Sequence, residues 1–188
     1  SIVIPVFNRL AFTRQCLDRL WRHTQELSFE VIVVDNGSTD GTREHFEALG
    51  ETPAPLQYHR NEANRGFGAA NNQGARAASG RYLVFLNNDT LVRPGWLQAM
   101  VRLADSDPAI GIVGIQQLFP YTNLIHHTGL VFTADGMPQH LYPHSPASLP
   151  HVNKERDYQA VNGACLLVHR TLFEECGGFD EGYRNGSA

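Results

Sequence analysis

The sequence predicts an α/β fold in which helices flank a mostly parallel central sheet, and three observations carry that expectation. Short apolar, β-branched runs at 2–7, 29–34 and 81–86 have the continuous hydrophobicity of strands buried on both faces. Stretches with apolar residues at three- and four-residue spacing alternate with them, as amphipathic helices require. Dense clusters of turn and capping residues follow the strands, and in such folds ligands bind at the carboxyl ends of strands. The polar residues after Phe7, Val34 and Leu86 are therefore expected to share one rim.

The elements follow in chain order. After the first strand, Asn8 is placed to cap a helix over 9–25, whose apolar stripe is Phe12, Cys16, Leu17, Leu20 and Trp21. The second strand runs into Asp35-Asn36-Gly37-Ser38-Thr39-Asp40-Gly41, a turn cluster ahead of a helix over 42–49. A weak strand at 56–60 precedes a helix over 67–78, then a strong strand at 81–86 and a helix over 94–104 with Pro94 in its first turn. Another strand is expected at 110–115. The segment 134–156 carries Pro138, Pro143, Pro146 and Pro150 with little periodicity and reads as a long functional loop. A strand over 160–168, interrupted by Asn162-Gly163, and a short helix near 171–175 complete the pattern.

Composition bounds the function. The chain of 188 residues suits one domain. With 42% hydrophobic and 18% charged residues it is a folded domain, not a disordered or charge-solvated one. The formal charge of -4 supplies no basic excess for a nucleic-acid backbone, so nucleic acid is excluded as a partner class. Three cysteines, Cys16, Cys165 and Cys176, without C-x-x-C spacing suggest neither a disulfide framework nor a zinc knuckle and fit a reducing, cytoplasmic setting. No apolar run approaches the ~20 residues of a membrane helix. The start at Ser1 and the close on Asn185-Gly186-Ser187-Ala188 make the chain read as an excerpt, truncated at its C-terminus.

Carboxylates and amides at strand ends, close to helix N-termini, suit a phosphorylated ligand held with a divalent cation. Asp89 is the metal-ligand candidate, because a carboxylate after a buried strand can hold Mg²⁺ or Mn²⁺ while phosphate oxygens and water complete the shell. The competing reading makes Asp35 and Asp89 helix caps only. Gly66-Phe67-Gly68 approaches a dinucleotide fingerprint, but Asn71 stands where the third glycine belongs and the strand before it is poor.

Taken together and in order, four segments resemble an inverting family 2 glycosyltransferase of the GT-A fold, rhamnosyltransferase-like in detail. They are Ser1-Ile2-Val3-Ile4-Pro5-Val6-Phe7-Asn8, the 31–42 segment, Asn64-Arg65-Gly66-Phe67-Gly68 with Asn72-Gln73-Gly74, and the 80–89 segment ending in Asn87-Asn88-Asp89. The 163–165 and 177–181 segments resemble the acceptor side of that family. The resemblance implies a nucleotide-sugar-binding half over 1–105 and an acceptor-side half over 106–188. It implies that Pro5, Val6 and Asn8 line the nucleotide pocket, that Asp35 accepts a hydrogen bond from a pyrimidine N3–H, and that Asn64 and Gly66 flank the nucleotide. Asn87-Asn88-Asp89 falls where the family carries D-x-D, with Asp89 on the metal and Asn87 or Asn88 beside the ribose or sugar. An amide replaces the first carboxylate, a variant of rhamnosyltransferase-like members that points to dTDP-rhamnose.

The implied activity is metal-dependent, inverting transfer from a UDP- or dTDP-sugar to a glycan or lipid-linked acceptor, in bacterial cell-wall or polysaccharide biosynthesis. It would take place in the cytoplasm or peripherally at the inner membrane face. The base implied by the resemblance lies beyond Ala188, leaving Asp180 and Glu181 as weaker candidates. Two alternatives stand beside it: a non-catalytic nucleotide-sugar or glycan-binding module, and a nucleotidyltransferase, against which the lack of a glycine-rich basic loop at 5–9 counts. His126, His127, His140, His144 and His151 match no compact zinc spacing and read as surface or loop residues, with His127 a candidate near the leaving diphosphate. Trp21 and Trp96 read as core, and Tyr142 as an exposed ring for stacking on an acceptor.

Overall fold

The computed structural model describes residues 1–25 and 27–183. Its centre is a six-stranded sheet of β1 (Ile2–Val6), β2 (Val31–Asp35), β3 (Leu56–Arg60), β4 (Tyr82–Leu86), β5 (Ile112–Gly114) and β10 (Cys165–His169). The spatial order is β3-β2-β1-β4-β10-β5. β1 pairs in parallel with β2 and β4, and β2 with β3, so the ends of the first four strands point the same way. β10 runs antiparallel to both β4 and β5.

Strand alternation divides the core between the two faces of this sheet. On one face Ile2, Ile4, Val31, Val33, Val84 and Leu86 pack with Cys16 and Leu20 of α1 (Leu10–His23), Phe46 of α2 (Thr42–Glu47), and Trp96 and Met100 of α4 (Trp96–Ser106). On the other, Val3, Ile32, Val34 and Phe85 meet Ala70 and Ala75 of α3 (Phe67–Ala77) and the Leu172 and Phe173 side chains of α5 (Arg170–Glu175). α3 lies so close that a Cβ on Gly74 would stand 2.3 Å from Val3 Cγ1. The Trp96 indole donates to Thr24 Oγ1 at 2.9 Å, which satisfies its polar edge in the core. Trp21 is only half-buried, stacked at 6.0 Å on Phe29.

Three local expectations are corrected. Asn8 does not cap α1: it and Arg9 adopt left-handed backbone, φ 58° and 60°, and the Leu10 amide is taken by Asp40 Oδ2 from the loop after β2. Pro94 precedes α4, which opens after a left-handed Gly95, where a turn with φ 77° needs glycine. The 134–156 segment is not an unstructured loop. It contributes β9 (Pro138–His140), which pairs with β8 (Leu130–Phe132), and a 3-10 turn at Pro150–Val152. Proline tolerates the first position of that short strand, where it hides the signal. β6 (Gln117–Leu118) and β7 (Ile125–His127) form a second small hairpin.

Candidate active site

The rim begins where β1 ends. The Asn8 amide donates to Ser38 Oγ at 2.7 Å, and Asn8 Oδ1 accepts from the Thr39 amide at 2.8 Å. The left-handed turn at Asn8 and Arg9 thus ties the first loop to the second. Pro5 lies opposite Val34 across the pair, half-buried. The Val6 side chain belongs to the core, and what it offers the rim is its carbonyl, which accepts from the Asn36 amide at 2.7 Å.

Asp35 closes β2 with its side chain fully buried. One oxygen accepts from the Ser38 amide at 2.8 Å; the other accepts from Tyr58 Oη at 2.6 Å and from the Arg60 guanidinium. Burial would raise this carboxyl's pKa, but the hydrogen bonds from Ser38, Tyr58 and Arg60 overcome it and hold the group below the ordinary carboxylate value. The same Asp35 contact pushes the Tyr58 hydroxyl, already raised by burial, further up. Arg60 also donates to the Ser38 carbonyl at 3.0 Å. It is the more exposed partner, at 28%.

Asn36 organises the next loop. Its amide nitrogen donates to Asn64 Oδ1 at 3.2 Å and to the Gly66 carbonyl at 3.0 Å, while its oxygen accepts from Asn61 Nδ2 at 3.0 Å. Asn64 in turn accepts from the Gly66 amide at 2.9 Å. Asn64 and Gly66 are therefore joined to the Asp35 loop by side-chain amides. Gly68 serves a different end from that of a dinucleotide motif, because a Cβ there would meet the Asp180 carbonyl at 2.9 Å.

After β4, the Asn87 amide donates to the Ala164 carbonyl at 2.9 Å, and Asn88 Nδ2 donates to Thr13 Oγ1 of α1 at 2.9 Å. Asp89 is exposed. Its charge, after burial, helps push the Cys16 thiol beneath up to about 12. Among the described residues, no three His, Cys, Asp or Glu side chains gather to hold a metal ion by themselves. A lone exposed carboxylate fits a hard cation whose remaining ligands come from a diphosphate and water, and fits nothing that needs a protein cage.

On the far side of α3, Asp180 Oδ1 accepts from the Gly182 amide at 2.8 Å, and Glu181 Oε1 accepts from Asn72 Nδ2 at 3.0 Å. The sequence-implied base beyond Ala188 lies outside the described residues, as do residues 184–188. The histidines are not all peripheral. His127 is buried; its Nε2 accepts from the Asn162 amide at 3.1 Å, and its Nδ1 lies 2.9 Å from His140 Nδ1. Burial first, then the neighbouring His140 and His126, push its pKa down to about 4. Tyr142 is half-buried, not an open platform, with its ring 5.1 Å from that of His151.

A protein-family model described as "Glycosyl transferase family 2" matches residues 1–177. The chain belongs to glycosyl transferase family 2. It is 35% identical over 191 residues to the O-antigen biosynthesis protein RfbC of Myxococcus xanthus, covering 98% of this chain and 15% of that protein. It is 34% identical over 124 residues to the glycosyltransferase AglE of Haloferax volcanii, covering 65% of this chain and 40% of that one. Its fold resembles that of the mannosyltransferase PcManGT of Pyrobaculum calidifontis, solved with GDP-Man and Mn²⁺. The TM-score is 0.73 at 22% identity, over 99% of this chain and 49% of that one. S. aureus TarS residues 1–349 with UDP give a TM-score of 0.64 at 19% identity, over 98% of this chain and 51% of that one. The family 2 domain thus has the GT-A architecture, and it spans about half the length of these solved relatives.

Tyr58, Arg60 and Thr13 do not stand out in the sequence, and Asn72 stands out only within the Asn72-Gln73-Gly74 motif, without a partner. A signal existed for the first two: in the parallel register Arg60 stands opposite Asp35, and Tyr58, two residues earlier, shares its face.

Proposed function

We propose that this family 2 domain binds a UDP- or dTDP-sugar along the rim of β1, β2 and β4, and transfers the sugar with inversion to a glycan or lipid-linked hydroxyl. Residues 1–105 would hold the donor and 106–188 would face the acceptor. The observation that carries this reading is Asp35, an ionised, buried carboxylate at a strand end, ringed by donors and linked through Asn8, Asn36 and Ser38 to the neighbouring loops.

A carboxylate offers about four acceptor positions, and three are already used by Ser38, Tyr58 and Arg60. One acceptor position remains, which suits a single N–H such as the N3–H of uracil or thymine; the paired donors of a guanine edge would need two. Asn64 and Gly66 border the base, and Asn87 or Asn88 the ribose or sugar. Asp89 would hold the divalent cation, Mn²⁺ or Mg²⁺, and when bound the cation supplies positive charge against the diphosphate as it leaves. The acceptor hydroxyl needs a carboxylate to take its proton as the new bond forms.

The test is nucleotide release from a panel of UDP-glucose, UDP-GlcNAc, dTDP-rhamnose and GDP-mannose with Mn²⁺, by a chain extended past Ala188 so that it carries the expected base. The reading expects release from a uridine or thymidine donor above that from GDP-mannose. Preference for GDP-mannose would overturn the base assignment. Binding of UDP or dTDP without release from any donor would favour a non-catalytic module.

A further inference from the structure

Asn72 sits in α3, in the donor-binding half, and is 93% buried, with an exposure of 7%. Its side-chain amide reaches a segment more than a hundred residues away. Oδ1 accepts from the Phe179 amide at 2.9 Å, while Nδ2 donates to the Phe179 carbonyl at 2.8 Å and to Glu181 Oε1 at 3.0 Å. Reading both the N–H and the C=O of one residue fixes its position and its orientation, as a strand partner would. The surrounding residues leave room for this clamp. Gly178 has φ 80°, and a Cβ on it would stand 2.6 Å from Asn72 Oδ1. One turn earlier on α3, a Cβ on Gly68 would meet the Asp180 carbonyl. The Phe179 ring seats the same segment in the core, 4.8 Å from Phe85 and 5.3 Å from Phe173.

We infer that Asn72 is a positioning residue. It sets the 177–181 segment in register with the donor-binding half, with Glu181 as a strut held on α3. The inference rests on the proposed reading of that segment as acceptor-side. Only a neutral amide serves, because the site asks one side chain to accept from a backbone N–H and donate to a carbonyl and a carboxylate. An aspartate of the same shape would still accept, but it would turn a carboxylate toward the Phe179 carbonyl and toward Glu181.

The experiment follows exchange of the Phe179 amide proton by NMR in the ¹⁵N-labelled chain, beside UDP affinity by calorimetry. Asn72→Asp keeps the acceptor for the Phe179 amide but removes both bonds that Nδ2 donates, so the segment should open more readily and Phe179 protection should fall at least about tenfold. Adding Glu181→Gln, which places a donor opposite the new carboxylate, should recover part of the loss. UDP affinity should be the same in all three proteins. Gly178→Ala presses on the clamp from the other side and should also lower protection, which keeps the test open if Asn72→Asp does not fold. Unchanged Phe179 protection in Asn72→Asp, or a loss that Glu181→Gln does not lessen, overturns the inference. Absence of UDP binding in the wild-type chain with Phe179 protection behaving as expected would instead overturn the proposed function and leave the clamp standing.

Discussion

Asp35 and His127 are both buried titratable groups, and their surroundings settle opposite charge states. Asp35 stays ionised because Ser38, Tyr58 and Arg60 all donate to it. His127 stays neutral because one ring nitrogen already accepts an N–H from Asn162, so protonation there would cost a hydrogen bond and bury a charge. The sign of the pH effect follows. The unfolded histidine takes up its proton near pH 6.5 and the folded one only near 4, so between these values the unfolded state binds more protons and loses none of its hydration. Stability therefore declines as pH falls from 6.5 toward 4 and is fully present above 6.5. Urea unfolding midpoints across that range should show the decline. His127→Gln, which can accept from Asn162 and donate to His140 but cannot titrate, should flatten the slope. An equal slope in the variant would mean that another group is responsible.

The helix α3 shows how packing constrains a sequence that looks only permissive. Its small residues, Gly68, Ala69, Ala70, Gly74 and Ala75, let it approach the sheet and the 177–181 segment together. Gly74→Ala would place a methyl group 2.3 Å from Val3 Cγ1 and 3.3 Å from Val34 Cγ2, both in the core under the rim. Overpacking of this kind should cost about 1–3 kcal/mol, measured by chemical unfolding; no loss would mean the helix can lift from the sheet without consequence. The elements that were legible in the sequence are the ones whose burial is symmetrical. β1, β2 and β4 read as apolar runs because both faces are covered. β3, an edge strand of half-buried residues, reads weakly yet forms in full. The hairpin of β8 and β9 did not read at all, since its strands have three residues each and Pro138 opens one of them. The antiparallel course of β10 was equally hidden, because alternation carries no direction.

Across the whole molecule, the second half of the chain returns into the central sheet through β10, which lies between β4 and β5. That insertion brings the Ala164 carbonyl to Asn87 and 177–181 to α3. The rim was readable because its polar residues cluster just after strand ends. The contacts that complete it were not, for they join distant positions: Thr13 with Asn88, Tyr58 and Arg60 with Asp35, Asn72 with Phe179. Among the described residues no helix is long and apolar enough to cross a membrane. The central claim is that this rim binds a pyrimidine nucleoside diphosphate through Asp35 and a cation through Asp89. Calorimetric titration of UDP, dTDP and GDP, with and without Mn²⁺, into the wild-type, Asp35→Ala and Asp89→Ala chains tests it most directly. UDP and dTDP should bind more tightly than GDP, and Asp35→Ala should weaken them about tenfold. Mn²⁺ should tighten binding in the wild type but not in Asp89→Ala. Folded wild-type chain that binds none of the three, or affinities that neither substitution alters, would contradict the account.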